Sequence, residues 1–242
     1  KRGESLDDYG LNAVSADIIR QLWLDNYFYG TTFSAQYKRN ADQLTVGGAF
    51  TRYKGLHYGK VIWSEVPVEK DYRWYDLDAF KNDFNIYTKY QRRLGVRWEA
   101  FADIQYRYVK HSISGFRKNP TLQSGNDFSF VNPKLGISYA DSKGWLGFAS
   151  FSIGNREPNR DDFEAGVAQQ PKHETLYDLE LNIEHRQPTF SLSATGYYMY
   201  YNNQLVLTGK VNDVGAYNRI NIPKSYRAGV EFQATVKPTA WF

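Results

Sequence analysis

Residues 225–236 have the sequence Ser-Tyr-Arg-Ala-Gly-Val-Glu-Phe-Gln-Ala-Thr-Val, and this stretch decides the fold. Its odd-numbered positions are polar or glycine, whereas its even-numbered positions are aromatic or aliphatic. Side chains two residues apart lie on one face of a β-strand, so the stretch predicts a strand with one polar and one apolar face. It exceeds the usual strand length of about five or six residues and matches the roughly 9–11 residues of a tilted strand that crosses a bilayer. A soluble amphipathic edge strand would have the same pattern, so the rest of the chain must decide between the two.

The composition excludes a helical membrane protein but fits a β-barrel. The 242 residues have a mean hydropathy of −0.62 and 23% charged residues, and no apolar run approaches the ~20 residues of a spanning helix. Half of every barrel strand is polar, so these values suit a barrel. The chain has no Cys and therefore no disulfide or thiolate metal site. Its net charge of +4, with acids and bases interspersed, gives no indication of a nucleic-acid partner.

Alternating polar and apolar residues predict nine strands joined by links of two kinds. The short links are predicted at 39–43, 92–95, 141–144 and 186–188. The long links are predicted at 54–81, 112–127, 156–174 and 202–222, while residues 17–25 fit either a short helix or the start of a strand. In an antiparallel sheet this alternation places the short turns at one end and the long loops at the other, as in outer-membrane barrels.

Aromatic residues are also distributed as in a membrane barrel. In residues 96–110 one face carries Trp98 near the turn, small or aliphatic residues in the middle, and Tyr106 and Tyr108 at the other end. At ~3.3 Å per residue and ~45° tilt, Trp98 and Tyr108 are roughly 23 Å apart along the membrane normal, close to the ~25 Å apolar band of a barrel. The opposite faces carry Asp, Glu, Arg and Lys, which a sandwich core could bury only as pairs. The apolar faces are therefore predicted to contact lipid.

The number of strands predicts that the chain is part of a larger barrel. Single-chain bacterial barrels have an even number of strands, and an open sheet edge in lipid is costly. The predicted fold class is therefore all-β, a partial antiparallel transmembrane β-barrel with about nine long strands, and residues 1–242 are predicted to be a single barrel domain.

Several segments resemble the C-terminal half of the barrel of TonB-dependent outer-membrane receptors. The most specific are Asn-Arg-Glu-Pro-Asn-Arg-Asp at 155–161 and Ser-Tyr-Arg-Ala-Gly-Val-Glu at 225–231. Others are Trp-Leu-Asp-Asn-Tyr-Phe-Tyr-Gly at 23–30, Tyr-Gly-Lys-Val-Ile-Trp at 58–63 and Asn-Gln-Leu-Val-Leu-Thr-Gly at 203–209. The resemblance extends over residues 18–238, which is almost the whole chain.

The resemblance implies a barrel of about 22 strands with a separate plug domain. It also implies that the plug, the TonB-contacting box, and the early and closing strands of the barrel are not in this sequence. It implies import of a scarce ligand across the outer membrane of a Gram-negative bacterium, driven by the TonB complex acting through the plug. The expected partners are therefore outer-membrane lipid, the TonB complex and a small-molecule or oligosaccharide ligand. Siderophores, cobalamin, oligosaccharides and peptides all remain open as ligands.

Five residues are predicted to contact the ligand at the external loops and rim. Trp63, Trp74 and Tyr75 belong to the first long link, where aromatic rings suit stacking on sugars or large ligands, although packing within the loop explains them equally well. Arg156 and Arg160 fall where a strand meets an external loop. A structural salt-bridge cluster at the rim is the favoured alternative for these two arginines.

Two other functions compete with transport. One is a soluble carbohydrate-binding β-sandwich, and the other is an outer-membrane barrel hydrolase. A hydrolase needs a nucleophile, a base and an orienting group that converge, and no such spacing is present. The four His, at 57, 111, 173 and 185, are scattered without metal-ligand spacing. The sequence therefore predicts neither an enzyme nor a cofactor.

Overall fold

A computed structural model describes residues 16–117, 119–165, 170–211 and 217–237. The strands form one sheet in which each strand neighbours the next in sequence, and the pairs from β5 to β9 are antiparallel. They are β1 (Ile18–Arg39), β2 (Asp42–Ser64), β3 (Arg73–Leu94), β4 (Trp98–Phe116), β5 (Asn119–Ala140), β6 (Trp145–Arg156), β7 (Glu174–Arg186), β8 (Phe190–Val211) and β9 (Tyr217–Val236), with the short helix α1 (Arg160–Ala165) between β6 and β7. Over the described residues the predicted all-β class and the nine strands are confirmed, and the strands lie in one sheet rather than in the two layers of a sandwich.

No helix within the described part of the chain is long and apolar enough to cross a membrane.

The short turns lie close to their predicted positions. Asn40, Gly95 and Gly144, which occupy the first three turns, have φ values of 54°, 77° and 87°. This left-handed conformation is the one that Gly and Asn adopt at least cost, which explains why these residues mark the turns. The alternation predicts that Val96 begins a strand, but this residue lies in the turn and its side chain is 99% exposed.

Three of the four long links are much shorter than predicted. Only residues 65–72 separate β2 from β3, and only 117–118 separate β4 from β5. The link between β8 and β9 comprises 212–216, which lie outside the described residues. Residues 18–25 belong to β1. Charged and aromatic side chains obscure the period of two in these extensions, but backbone pairing does not depend on side chains. Backbone pairing even continues past the start of β3, where the Val61 N–H donates to the Tyr72 carbonyl at 2.9 Å.

Strand register sorts the side chains onto two faces. Leu181 of β7, Gly196 of β8 and Val230 of β9 form one row, and the next row is Asn182, Thr195 and Glu231. Leu181 and Val230 are 53% and 63% exposed, which fits an apolar medium better than water because soluble proteins rarely expose large contiguous apolar surfaces. We call the side of the first row the apolar face and the side of the second row the polar face.

The chain divides into two compact units. The first comprises the described residues within Lys1–Gly30, Thr51–Asn82 and Lys110–Asp127, and the second comprises those within Thr31–Phe50, Asp83–Val109 and Phe128–Phe242. The first unit has its own apolar core, which includes the buried residues Val61, Leu77, Ile113 and Phe116. The second unit includes β6 to β9.

Candidate functional site

An ion-pair cluster in the second unit joins three parts of the chain. Arg107 of β4 donates three hydrogen bonds of 2.6–3.2 Å to the carboxylate of Asp83 on β3. Its Nη1 and Nη2 also donate to the two carboxylate oxygens of Glu157, at 2.9 Å each. A guanidinium group carries five N–H donors in a planar fork, so one arginine can hold both carboxylates at once.

This cluster is largely shielded from solvent and reaches across a strand. The side chains of Arg107, Asp83 and Glu157 are 23%, 18% and 9% exposed. Glu157 directly follows β6, and β5 lies between β4 and β6 in the sheet. The Glu157 carboxylate therefore passes over β5 to reach Arg107. As a result, the segment 157–165, which we call the strap, is fixed against β4.

The helix of the strap provides a second attachment. The Asn159 N–H donates to Asp162 Oδ2 at 2.7 Å, and the Asp162 N–H donates to Asn159 Oδ1 at 3.1 Å, so the two residues cap each other at the start of α1. Asp162 Oδ1 lies 3.0 Å from Nε of Arg219 on β9. Burial raises the pKa of the Asp162 carboxyl, against the opposing effects of the Asn159 N–H and the Arg219 charge. Phe163 is also buried, so charged and apolar contacts together attach the strap to β9 and its surroundings.

Aromatic and amide groups continue the site along β4 to β7. The His173 ring meets Phe130 and Phe128 of β5 edge to face, with ring centroids 5.5 and 6.2 Å apart. A ladder of side-chain hydrogen bonds runs from Gln105 through Asn132 and Asn155 to Thr175, with lengths of 3.0, 2.9 and 2.7 Å. This ladder links four successive strands beside the base of the strap.

The arrangement suits non-covalent binding more than bond-breaking chemistry. The guanidinium of Arg107 is occupied by two carboxylates, and the amides of the ladder bond to one another. Within the described ranges, no three His, Asp or Glu side chains are grouped so that they could hold a metal ion. The site therefore offers charged, amide and aromatic side chains on β4 to β7 and on the strap.

The three aromatic residues predicted to contact ligand belong to the first unit. Trp63 lies in β2, and Trp74 and Tyr75 lie in β3, so their predicted position in a long loop is wrong because both strands extend further. Trp74 and Tyr75 meet edge to face with ring centroids 5.2 Å apart, and the Arg20 guanidinium carbon lies 5.2 Å from the centroid of Trp74. Trp63 is 51% exposed. Whether the three residues contact ligand stays a prediction.

Sequence reasoning missed a cluster of cations and rings in the same unit. Trp23 stacks on Tyr58 with ring centroids 6.0 Å apart, and the Arg73 guanidinium lies 3.8 Å from the Tyr58 centroid. The Lys60 ammonium lies within 5.8 Å of both rings and 3.7 Å from Asp71. Cations attract aromatic faces in this geometry. The residue types were visible in the sequence, but their pairing depends on the register of β1, β2 and β3.

The two predicted arginines lie on one segment of the second unit. Arg156 ends β6 and pairs with Glu174 of β7 through an Nε–Oε1 distance of 2.9 Å, although its side chain is 66% exposed. Arg160 is the first residue of α1. The ion pair of Arg156 agrees with the salt-bridge alternative for this rim, and contact of either arginine with a ligand stays a prediction.

Comparisons with known proteins agree with this architecture. A family model described as "TonB dependent receptor-like, beta-barrel" matches residues 2–242. Among solved structures, the chain is similar to the copper transporter OprC, with 13% identity and a TM-score of 0.75 over 91% of this chain and 36% of that one. It is also similar to the FrpB iron transporter from Neisseria meningitidis, with 14% identity and a TM-score of 0.63 over 89% of this chain and 34% of that one.

A third similar structure is the ferric citrate transporter FecA, with 14% identity and a TM-score of 0.62 over 89% of this chain and 32% of that one. The chain thus spans about a third of the length of these structures, and identities this low show a shared fold only. No curated protein matches the sequence.

Proposed function

The chain belongs to the TonB-dependent receptor-like β-barrel family, and from this premise we propose that it forms part of an outer-membrane receptor that imports a scarce ligand. The receptor would lie in the outer membrane of a Gram-negative bacterium and draw energy from the TonB complex through a plug domain. In this proposal residues 1–242 are one part of a single barrel domain.

The observation that carries the proposal is the sorting of side chains onto two faces. Large apolar residues such as Leu181, Val230 and Phe232 are 53%, 63% and 82% exposed, whereas the Arg107 cluster occupies the polar face. Lipid on one side and a hydrated interior or a plug on the other satisfy both faces at once. A soluble sandwich would have to bury the apolar face against a second sheet.

The proposed ligand is a small polar molecule that requires energised transport. The similar structures are named as copper, iron and ferric citrate transporters, so metal ions and metal chelates are the first ligands to test. We propose Trp63, Trp74 and Tyr75 as stacking contacts in the first unit. We propose Arg156, directly before the strap, and Arg160, within the strap, as anion contacts.

Uptake by whole cells tests the proposal. A strain that lacks the gene should lose energised uptake of one probe from a panel of labelled copper, ferric siderophores, cobalamin and oligosaccharides. Adding a protonophore to wild-type cells should cause the same loss. Unchanged uptake of the whole panel would contradict a transport function.

Extraction tests the rival functions. The proposed receptor should leave the cell envelope only with detergent. Recovery of the folded protein in the soluble fraction would instead support a carbohydrate-binding protein. A barrel hydrolase would be supported by ester or peptide cleavage that survives in purified protein, and the names of the similar structures argue against this rival because all three are transporters.

A further inference from the structure

A groove interrupts the apolar face of the second unit near the turn between β5 and β6. It has a volume of about 360 Å³ and is lined by Trp98, Ile137, Tyr139, Gly147, Phe148 and Ala149. Gly147 faces Tyr139 on β5 and Ile183 on β7, and Ala149 faces Ile137 and Leu181. Larger side chains therefore rise on both sides of β6 while the strand itself forms the floor.

The floor of the groove is open at Gly147. A Cβ atom added there would have Tyr139 Cβ at 3.8 Å and the Asn182 carbonyl oxygen at 3.9 Å as its nearest neighbours, which is ordinary van der Waals distance. Trp98 and Tyr139 pack with ring centroids 4.8 Å apart and form the wall nearest the turn. The Tyr139 hydroxyl lies 3.4 Å from Asp141, so the polar end of this ring points to the turn.

The turns at the polar end of the groove carry two exposed basic residues. Exposed Lys143 belongs to the turn between β5 and β6, and exposed Arg97 belongs to the turn between β3 and β4. The Arg97 carbonyl accepts the Ala140 N–H at 2.8 Å, which places the two turns side by side. Asp141 is the acidic residue at this end, and its Oδ1 already accepts the backbone N–H groups of Lys143 and Trp145 at 2.9 Å each. The groove is thus apolar along its length and has cationic groups at the end where the strands leave the apolar band.

We propose that this groove binds one phospholipid from the leaflet on the side of the short turns. The acyl chain lies over Gly147 and Ala149, and the phosphate lies near Lys143 and Arg97. The groove opens on the surface that the proposed function turns towards lipid, and the basic residues at its polar end complement the phosphate that every bilayer phospholipid carries, so a phospholipid matches both of its ends. The inference depends on the proposed function, because a water-exposed apolar face would have no acyl chain to accept.

Photocrosslinking in nanodiscs tests the site. The discs contain phosphatidylethanolamine and phosphatidylglycerol, doped with a phosphatidylethanolamine that carries a diazirine in its acyl chain. Mass spectrometry then compares labelling of the groove peptides of β5 and β6 with labelling of the apolar face of β8 and β9. We expect several-fold more label in the groove.

Gly147→Leu fills the groove and should abolish this excess. Gly196→Leu is the matched control, because Gly196 also lies on the apolar face and an added Cβ would meet nothing within 4 Å. The control should leave the excess unchanged. Folding of each variant is checked by heat-dependent migration in gels, and Ala149→Val is a milder filling variant in case Gly147→Leu does not fold.

The outcomes separate this inference from the proposed function. Equal labelling of both regions, or an excess that persists in Gly147→Leu and Ala149→Val, would mean bulk lipid contact only and would overturn the site. Labelling that is absent from the whole apolar face would overturn the proposed membrane orientation instead. Loss of the excess in a double Arg97→Gln and Lys143→Gln variant would support the placement of the phosphate, and an unchanged excess there would overturn that placement.

Discussion

Replacing Glu157 by Gln should release the strap while the sheet stays folded. The side chain of Glu157 is 9% exposed and its two oxygens accept hydrogen bonds of 2.9 Å from Arg107. Hydrogen bonds that involve charged groups contribute about 1.5–3 kcal/mol each, and glutamine keeps one acceptor, so we expect a local loss of about 1.5–3 kcal/mol. At about 1.4 kcal/mol per factor of ten, the population with an open strap should rise on the order of 10- to 150-fold.

Hydrogen exchange measured by mass spectrometry reports this opening directly. Peptides that cover residues 157–165 should exchange faster by the factor given above, since the Asp162 N–H is protected by its bond to Asn159 only while the strap is ordered. Exchange in β7 and β8 should not change. Glu184→Gln is the matched control, because Glu184 also pairs with an arginine but lies at the far end of β7.

Arg107→Met gives a second, larger perturbation of the same cluster. It leaves the carboxylates of Asp83 and Glu157 without their shared cation in a shielded position, which should cost about 3–5 kcal/mol. The reasoning would be refuted if Glu157→Gln accelerated strap exchange no more than Glu184→Gln does. It would also be refuted if Arg107→Met left strap exchange unaltered.

Four other perturbations test the faces, the turns and the proposed ligand contacts. Val230→Arg should cost about 2–4 kcal/mol of folding free energy in liposomes and Glu231→Arg much less, and equal urea midpoints would contradict the assigned faces. Gly144→Ala should lower the folding stability by at least about 1–3 kcal/mol, because φ is 87° and the new Cβ would lie 2.0 Å from the Arg186 carbonyl oxygen. Gly154→Ala is the control, because its Cβ would meet nothing within 4 Å. Equal urea midpoints for the two variants would contradict this prediction. The pKa of Asp141 is lowered by the backbone N–H groups of Trp145 and Lys143, by the Tyr139 hydroxyl and by the Arg97 charge. The contribution of Asp141 to stability is therefore present above the ordinary Asp pKa and is lost as the pH falls through the lowered pKa. The urea-midpoint difference between wild type and Asp141→Ala should therefore shrink on acidification below about pH 3.8, and a difference that grew would contradict the sign. Trp74→Leu should weaken ligand binding about 2- to 10-fold, while Trp145→Leu, beside the short turn between β5 and β6, should not. Titration with the ligand identified by uptake would show the difference.

The sequence by itself determined the fold class, the two faces and the short turns. Successive side chains of an extended strand point to opposite faces, so the faces of residues such as Leu181, Val230 and Glu231 can be predicted from the local sequence alone. Gly144 likewise marks a turn, because its backbone conformation disfavours a Cβ atom. These features depend only on neighbours within a few residues, and the structure agrees with them.

Only the tertiary structure decided how far the strands extend and which charges meet. Residues 54–64 continue β2 because their backbone groups pair with β3, although their side chains hide the alternation. Arg107 meets Glu157, which is 50 residues away, and Asp162 meets Arg219, because the order of the strands and the path of the strap bring them together. Such pairings depend on the order and register of the strands, and the sequence pattern of one strand does not indicate which residue of another strand lies opposite a given side chain.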